Sequence, residues 1–255
     1  MQIHVFVLHL VRATARRDTA QALLTTCKDV AGLSGELWPA VDGAGLSSDA
    51  LDEMVGAKLF EPTYPFALKA GEIGCFLSYR QIWAEILRRD LGCALVFEDD
   101  VSLDTRMFAR ALELGKQHVD TLGYVQFQNR PAKGPAHLVD RADDASLTVP
   151  QITPVRASAQ LINKKAAATL LGNSEQFDRP VDTFVQSHWV TGFRPGVIYP
   201  SGISTISDQL DGSTIQKSTK PLGEKLQREA ARFFYRRALA RYARQSTAPA
   251  TPDIQ

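Results

Sequence analysis

Glu98-Asp99-Asp100 sets three consecutive carboxylates directly after the apolar run Ala94-Leu-Val-Phe97. Crowded acids at the end of a buried strand are costly unless something neutralises them. An oxygen-rich corner of this kind suits a hard divalent cation, Mg²⁺ or Mn²⁺, which would in turn bridge to a phosphate. A second reading is purely structural: Asp99, Asp100 or Asp104 caps the helix that follows, and the remaining acids face water. The strand context adds weight to the metal reading, because ligands of open α/β sheets gather at the carboxyl ends of strands. The sequence contains neither a P-loop nor a G-x-G-x-x-G, which argues against the common NTPase and dinucleotide-binding folds.

The elements that must position these acids are readable from hydrophobic spacing. Ile3–Leu8 is apolar and β-branched, a buried strand. Arg12–Val30 reads as a helix, with Ala20, Leu23, Leu24 and Cys27 on one side. Glu36-Leu37-Trp38 is a short strand ended by the turn Pro39-Ala-Val-Asp-Gly43. In Ile73–Arg89 the residues Phe76, Tyr79, Ile82, Trp83, Ile86 and Leu87 share one face of an amphipathic helix. Gly92 breaks it, and Ala94–Phe97 follows as a central strand buried on both faces. A helix over Thr105–Val119 and a strand over Tyr124–Phe127 come next. Asn129–Pro154, rich in Pro, Gly, Asp and Ala, reads as a long loop over an active site. Asn163 reads as the N-cap of Lys164–Leu171, Pro180-Val-Asp opens another helix, and Gly196–Tyr199 is a late strand. The alternation predicts an α/β fold with a mostly parallel sheet.

The chain has 255 residues, ample for a sizeable core, with 44% hydrophobic and 22% charged residues. A net charge of +1 predicts no nucleic-acid partner. Cys27, Cys75 and Cys93 form no C-x-x-C and are odd in number, so neither a disulfide framework nor a zinc knuckle is expected; free thiols fit a reducing compartment. The opening apolar stretch lacks a basic region and a cleavage site, and no run reaches membrane-span length. The expectation is a cytoplasmic protein, either free or peripheral at the inner face of the cytoplasmic membrane.

Three segments together resemble the core signature of glycosyltransferase family 25, which includes bacterial lipooligosaccharide galactosyltransferases and collagen galactosyltransferases. They are Gly71-Glu-Ile-Gly-Cys-Phe-Leu-Ser78, Gln81-Ile-Trp83 and Ala94-Leu-Val-Phe-Glu-Asp-Asp-Val101. Ala40-Val-Asp-Gly43, Ser158–Ala166, Pro180-Val-Asp182 and Ser213-Thr-Ile215 are similar to further family segments. The family usually has His where Tyr79 stands and Asn where His9 stands.

The resemblance implies a GT-A-like fold over 1–220 and inverting transfer from a metal-bound nucleotide diphosphate sugar. It makes Glu98-Asp99-Asp100 the DxD-type motif, with Asp100 as metal ligand and Glu98 or Asp99 on the metal or the ribose. A base is then needed for the acceptor hydroxyl. Asp182 is the first candidate, reading equally as an acid in a first helical turn; Glu72 is the second, and the first-turn acid is its leading reading. Arg12 and Arg17 are candidates for the diphosphate and Asp42 for the uracil or ribose. His188-Trp189 and Cys75 read as packing. The implied donor is a UDP-sugar, UDP-galactose in particular, and the implied acceptor a glycan or lipid-linked glycan such as a lipooligosaccharide. A catalytically silent glycan-binding or scaffolding relative is the alternative.

Residues 221–245 carry Lys225, Arg228, Arg232 and Arg236 on one helical side, with Phe233, Phe234, Tyr235, Leu239 and Tyr242 adding apolar area. Such a helix either meets an anionic membrane surface or docks on its own domain. Residues 246–255 read as a disordered tail.

Overall fold

β1 (Ile3–His9) is buried along nearly its whole length, as a strand covered on both faces must be. A 3₁₀ turn at Thr14–Arg16 delays the first helix, so α1 spans Arg17–Ala31 and not the stretch expected from Arg12. Gly32 ends it in the left-handed conformation. β2 (Ser34–Pro39), α2 (Ser48–Met54), α3 (Ala70–Arg88) and β3 (Cys93–Glu98) follow. Then come β4 (Val101–Leu103), α4 (Thr105–Leu122) and β5 (Tyr124–Phe127). The computed structural model describes residues 2–156, 158–206 and 222–249. The Ser213-Thr-Ile215 segment and the tail beyond 249 lie outside the described residues.

The stretch expected to be a loop over Asn129–Pro154 contains a hairpin, β6 (Ala136–Ala142) and β7 (Ala145–Pro150). Asp143, with φ of 53°, makes its turn. The composition misleads because β6 is largely exposed and carries polar side chains. β8 (Ala159–Asn163), α5 (Lys164–Gly172), α6 (Val181–Gln186), α7 (His188–Thr191), β9 (Gly196–Tyr199), β10 (Ile203–Thr205) and α8 (Leu222–Gln245) complete the fold. Asn163 caps α5 as expected, accepting from Ala166 N at 2.8 Å.

Eight strands form one sheet in the order β2-β1-β3-β8-β5-β9-β7-β6, and β4 pairs with β10 in a separate ribbon. β1, β2, β3, β5, β6 and β9 run one way; β7 and β8 run against them. The α/β expectation holds. Two apolar cores sandwich the sheet. One packs α1 and α4 against Val5, Val7, Leu95 and Phe97. The other packs α3, α5 and α6 against Phe6, Ala94 and Val96, with Phe76 stacked on Phe177 at 3.9 Å. Fully burying a side chain such as Phe76 is worth roughly 1.5–3 kcal/mol. These layers hold the carboxyl ends of β1, β2 and β3 side by side.

Candidate active site

β1, β2 and β3 are parallel, so His9, the turn after Pro39 and Glu98 emerge at the same sheet edge. An open cleft of about 270 Å³ lies there, and its walls include Arg12, Arg16, Asp42, Glu98, Asp99 and Asp100. Five residues expected from sequence therefore converge. Arg17 does not; it is exposed, and its neighbour Arg16 is buried at the cleft instead.

The acidic triplet divides its labour. Asp99 is buried, and both its oxygens are engaged: Oδ2 lies 2.9 Å from His9 Nδ1, and Oδ1 accepts from Arg16 Nη1 at 3.1 Å. Asp100 Oδ2 lies 3.7 Å from the same Arg16 nitrogen, while its Oδ1 is buried with no hydrogen-bond partner. Burial pushes the Asp100 carboxyl up, Arg16 pulls it down, and Asp99 adds to the rise. Burial, and then the charges of Asp100 and Asp182, push the Glu98 carboxyl up to about 8, against a hydrogen bond from Ser158. The capping role falls to Asp104, which accepts from Met107 N at 2.9 Å. Asp99 and Asp100 are thus free of the helix-cap reading.

Asp42 is held by two devices. Arg12 grips it through Nε–Oδ2 at 2.5 Å and Nη2–Oδ1 at 3.4 Å, and Ala44 N donates to Oδ1 at 3.1 Å. Its turn is clamped to α3 by Ser78 Oγ, which accepts from Val41 N at 2.8 Å and donates to Gly74 O at 2.7 Å. A Cβ on Gly43 would sit 1.7 Å from Ala70 O, and one on Gly74 2.5 Å from Val41 O. Glycine is needed at both places because two backbones touch there.

Asp182 and Glu72, the two residues expected as base, are not among the residues lining this cleft; Asp182 feels the charge of Glu72, and Glu98 feels that of Asp182. Burial raises the Asp182 carboxyl, Thr183 opposes the rise by donating from N (2.7 Å) and Oγ1 (3.3 Å), and Glu72 adds to it. Glu72 also caps α3, accepting from Lys69 N at 2.8 Å. The Tyr64 and Tyr235 phenols are both pushed up, first by burial, and both feel Asp182. Their rings meet edge to face at 5.6 Å, so α8 packs against Tyr64. Cys75, read as packing, also lines the cleft.

His9, Arg16, Tyr64 and Tyr235 were not singled out as site residues by sequence. The departure at His9 was visible, and its contact with Asp99 gives that departure a structural use. His188 is fully buried and serves packing, as expected. Its Nε2 lies 3.0 Å from Arg194 Nη1 and its Nδ1 2.8 Å from Ser246 Oγ.

Residues 2–137, more than half of the chain, match the family model described as glycosyltransferase family 25 (LPS biosynthesis protein). The chain belongs to glycosyltransferase family 25. A family member from Drosophila pseudoobscura pseudoobscura is 26% identical over 243 residues, covering 85% of this chain and 38% of that protein. Procollagen galactosyltransferase 1 of Danio rerio is 29% identical over 197 residues, 71% of this chain and 30% of its own length. Inactive glycosyltransferase 25 family member 3 of Homo sapiens is 38% identical over 110 residues, 42% of this chain and 18% of its own. The chain therefore spans well under half the length of these curated relatives.

Proposed function

We propose that this family 25 chain is an inverting, metal-dependent glycosyltransferase that moves a hexose, galactose from UDP-galactose, to a hydroxyl of a glycan or lipid-linked glycan such as a lipooligosaccharide. One observation carries the reading: Glu98 and Asp100, with Asp100 Oδ1 buried and unpartnered, face a cleft at the ends of three parallel strands beside Arg12 and Arg16.

Among the described residues no group of three or more His, Cys, Asp or Glu side chains is placed to hold a metal ion. A cation such as Mg²⁺ takes one or two carboxylates and completes its shell with substrate phosphates and water. Asp100 and Glu98 would hold Mn²⁺ or Mg²⁺. The ion would supply charge neutralisation for the departing diphosphate. Arg12 and Arg16 add fixed positive charge on the same wall, and Asp42, on that wall too, is the residue assigned to the nucleoside. Asp99 is a positioning residue, because His9 and Arg16 already occupy its oxygens.

In the transfer step the acceptor hydroxyl oxygen bonds to the anomeric carbon while the bond from that carbon to the diphosphate breaks. The hydroxyl proton passes to the Asp182 carboxylate. A carboxyl raised by burial is the better proton acceptor, and Glu72 strengthens that effect. Tyr64 and Tyr235 offer an aromatic surface for the acceptor beside it.

The test is a thermal-shift series with UDP, UDP-galactose and UDP-glucose, each with and without Mn²⁺, followed by Mn²⁺-stimulated UDP release in the wild type and Asp100→Ala. Stabilisation by UDP-galactose with Mn²⁺, and release lost in the variant, is expected. No shift with any nucleotide sugar or metal would overturn the reading. The human relative named as inactive favours one alternative, a silent glycan-binding or scaffolding module. That alternative requires binding without UDP release.

A further inference from the structure

α8 has two faces of different chemistry. At 100° per residue, Arg228, Arg232, Tyr235, Leu239 and Ala243 share the side turned toward the body. Tyr235 meets Tyr64, Arg228 and Arg232 lie over the Phe66 ring at 4.6 and 5.6 Å, and Leu239 and Ala243 are buried. Arg194 then locks the end of the helix by donating to the carbonyls of Ala243, Ser246 and Ala248. The tail expected to be disordered from 246 is thus anchored over Ser246–Ala248. The basic side expected from Lys225, Arg228, Arg232 and Arg236 is likewise not a solvent stripe, since Arg228 and Arg232 face inward; the Lys225 side chain lies outside the described residues.

The opposite face is formed by Leu226, Ala230, Phe233, Arg237, Arg241 and Arg244, at helical spacings of three and four, with Phe234 at its border. Leu226 is 71% exposed, Phe233 61% and Phe234 67%. Phe233 and Phe234 are the exposed phenylalanines among the described residues. Arg236, Arg237, Arg241 and Arg244 are all exposed, against one acid in the same stretch, Glu229, which pairs with the inward Arg232.

We propose that this outward face of α8 seats the protein on an anionic lipid surface. Large apolar side chains left in water on a helix already docked by its other face call for a second covering. Arginines beside exposed phenylalanines match the headgroup boundary, where guanidinium groups meet lipid phosphates and rings enter the acyl edge. A second copy fits poorly, because this face carries arginines and no acid, so a two-fold contact would bury those charges without partners. Binding to lipid stands whether or not the transfer reaction is as proposed.

The test is co-sedimentation of the full chain with vesicles of phosphatidylcholine and phosphatidylglycerol, and with phosphatidylcholine alone. Binding to the mixed vesicles alone, weakened by salt, is expected. Arg237→Glu/Arg241→Glu/Arg244→Glu should lower the partition coefficient at least ~100-fold. Phe233→Ser/Phe234→Ser should lower it without removing the salt dependence. Unchanged thermal midpoints show that these variants fold; if a multiple variant does not, Phe234→Gln and Arg244→Gln carry the comparison. Equal binding to both vesicle types, or binding indifferent to the substitutions, overturns the proposal. So does a concentration-dependent dimer, or capture of an acidic protein or nucleic acid, that the substitutions abolish while lipid binding persists.

Discussion

Arg16 Nη1 donates to Asp99 Oδ1 at 3.1 Å, and both side chains are buried at the cleft. The same nitrogen is 3.7 Å from Asp100, so one guanidinium serves two adjacent acids. Arg16→Met keeps the aliphatic stem and removes the charge. It should cost about 3–5 kcal/mol in denaturant unfolding, the scale for breaking one side of a buried pair. Arg17→Met, at an exposed position, should change stability by less than about 0.5 kcal/mol.

Asp100→Asn separates stability from function. Its Oδ1 has no protein partner and burial already disfavours its charge, so the variant should keep or raise the thermal midpoint. Mn²⁺-stimulated UDP release should fall by two orders of magnitude or more, the equivalent of about 3 kcal/mol of lost transition-state stabilisation. Full release would remove Asp100 from the metal site.

Asp182→Asn should bind UDP with wild-type affinity yet lose about 10² to 10⁴-fold in turnover. Isothermal titration and a turnover assay on one preparation decide it. Weakened UDP binding with turnover intact would place Asp182 in the donor pocket instead.

Gly43→Ala forces a Cβ to within 1.7 Å of Ala70 O, a backbone atom that cannot swing away. Destabilisation of at least about 1–3 kcal/mol is expected, the usual cost of overpacking. UDP affinity should fall with it, because the Asp42 turn must lift from α3. Gly45→Ala, where a Cβ meets nothing within 4 Å, is the control.

His188 sets a pH window. Burial first, and then Arg194, lower its imidazolium from 6.5 to about 4. Nε2 lies between the Arg194 guanidinium (3.0 Å) and the Gln151 carbonyl oxygen (3.1 Å), and Nδ1 faces Ser246 Oγ at 2.8 Å. Between pH 6.5 and about 4 the unfolded chain binds this proton and the fold does not, so stability is full above pH 6.5 and declines as pH falls through the window. Melting curves across that range should show a shallower slope for His188→Asn.

Much of the cleft wall was legible in sequence because its residues obey local rules. An apolar strand running into three acids announces a charged sheet edge, and Gly74 and Ser78 sit at fixed helical spacing on α3. Arg16 was passed over because helical periodicity counted from Arg12 conceals the 3₁₀ turn that aims it inward. The β6–β7 hairpin was hidden by an exposed face and by Pro and Gly around it. The faces of α8 could not be assigned either: aromatic and cationic residues occur on every side, and only contact with Tyr64 and Phe66 distinguishes them. Periodicity reports that a helix has a buried side only when its polar residues avoid that side.

β8 runs antiparallel to β3, and Glu98 N donates to Ser158 O at 3.0 Å where the two meet. The start of β8, not its end, therefore borders the acidic corner. Insertions or exchanges in the segment entering β8 would reshape the rim of the cleft without touching the sheet register. Substitutions there should move the Glu98 carboxyl, which accepts a hydrogen bond from Ser158, and leave the pairing of β3 with β8 intact.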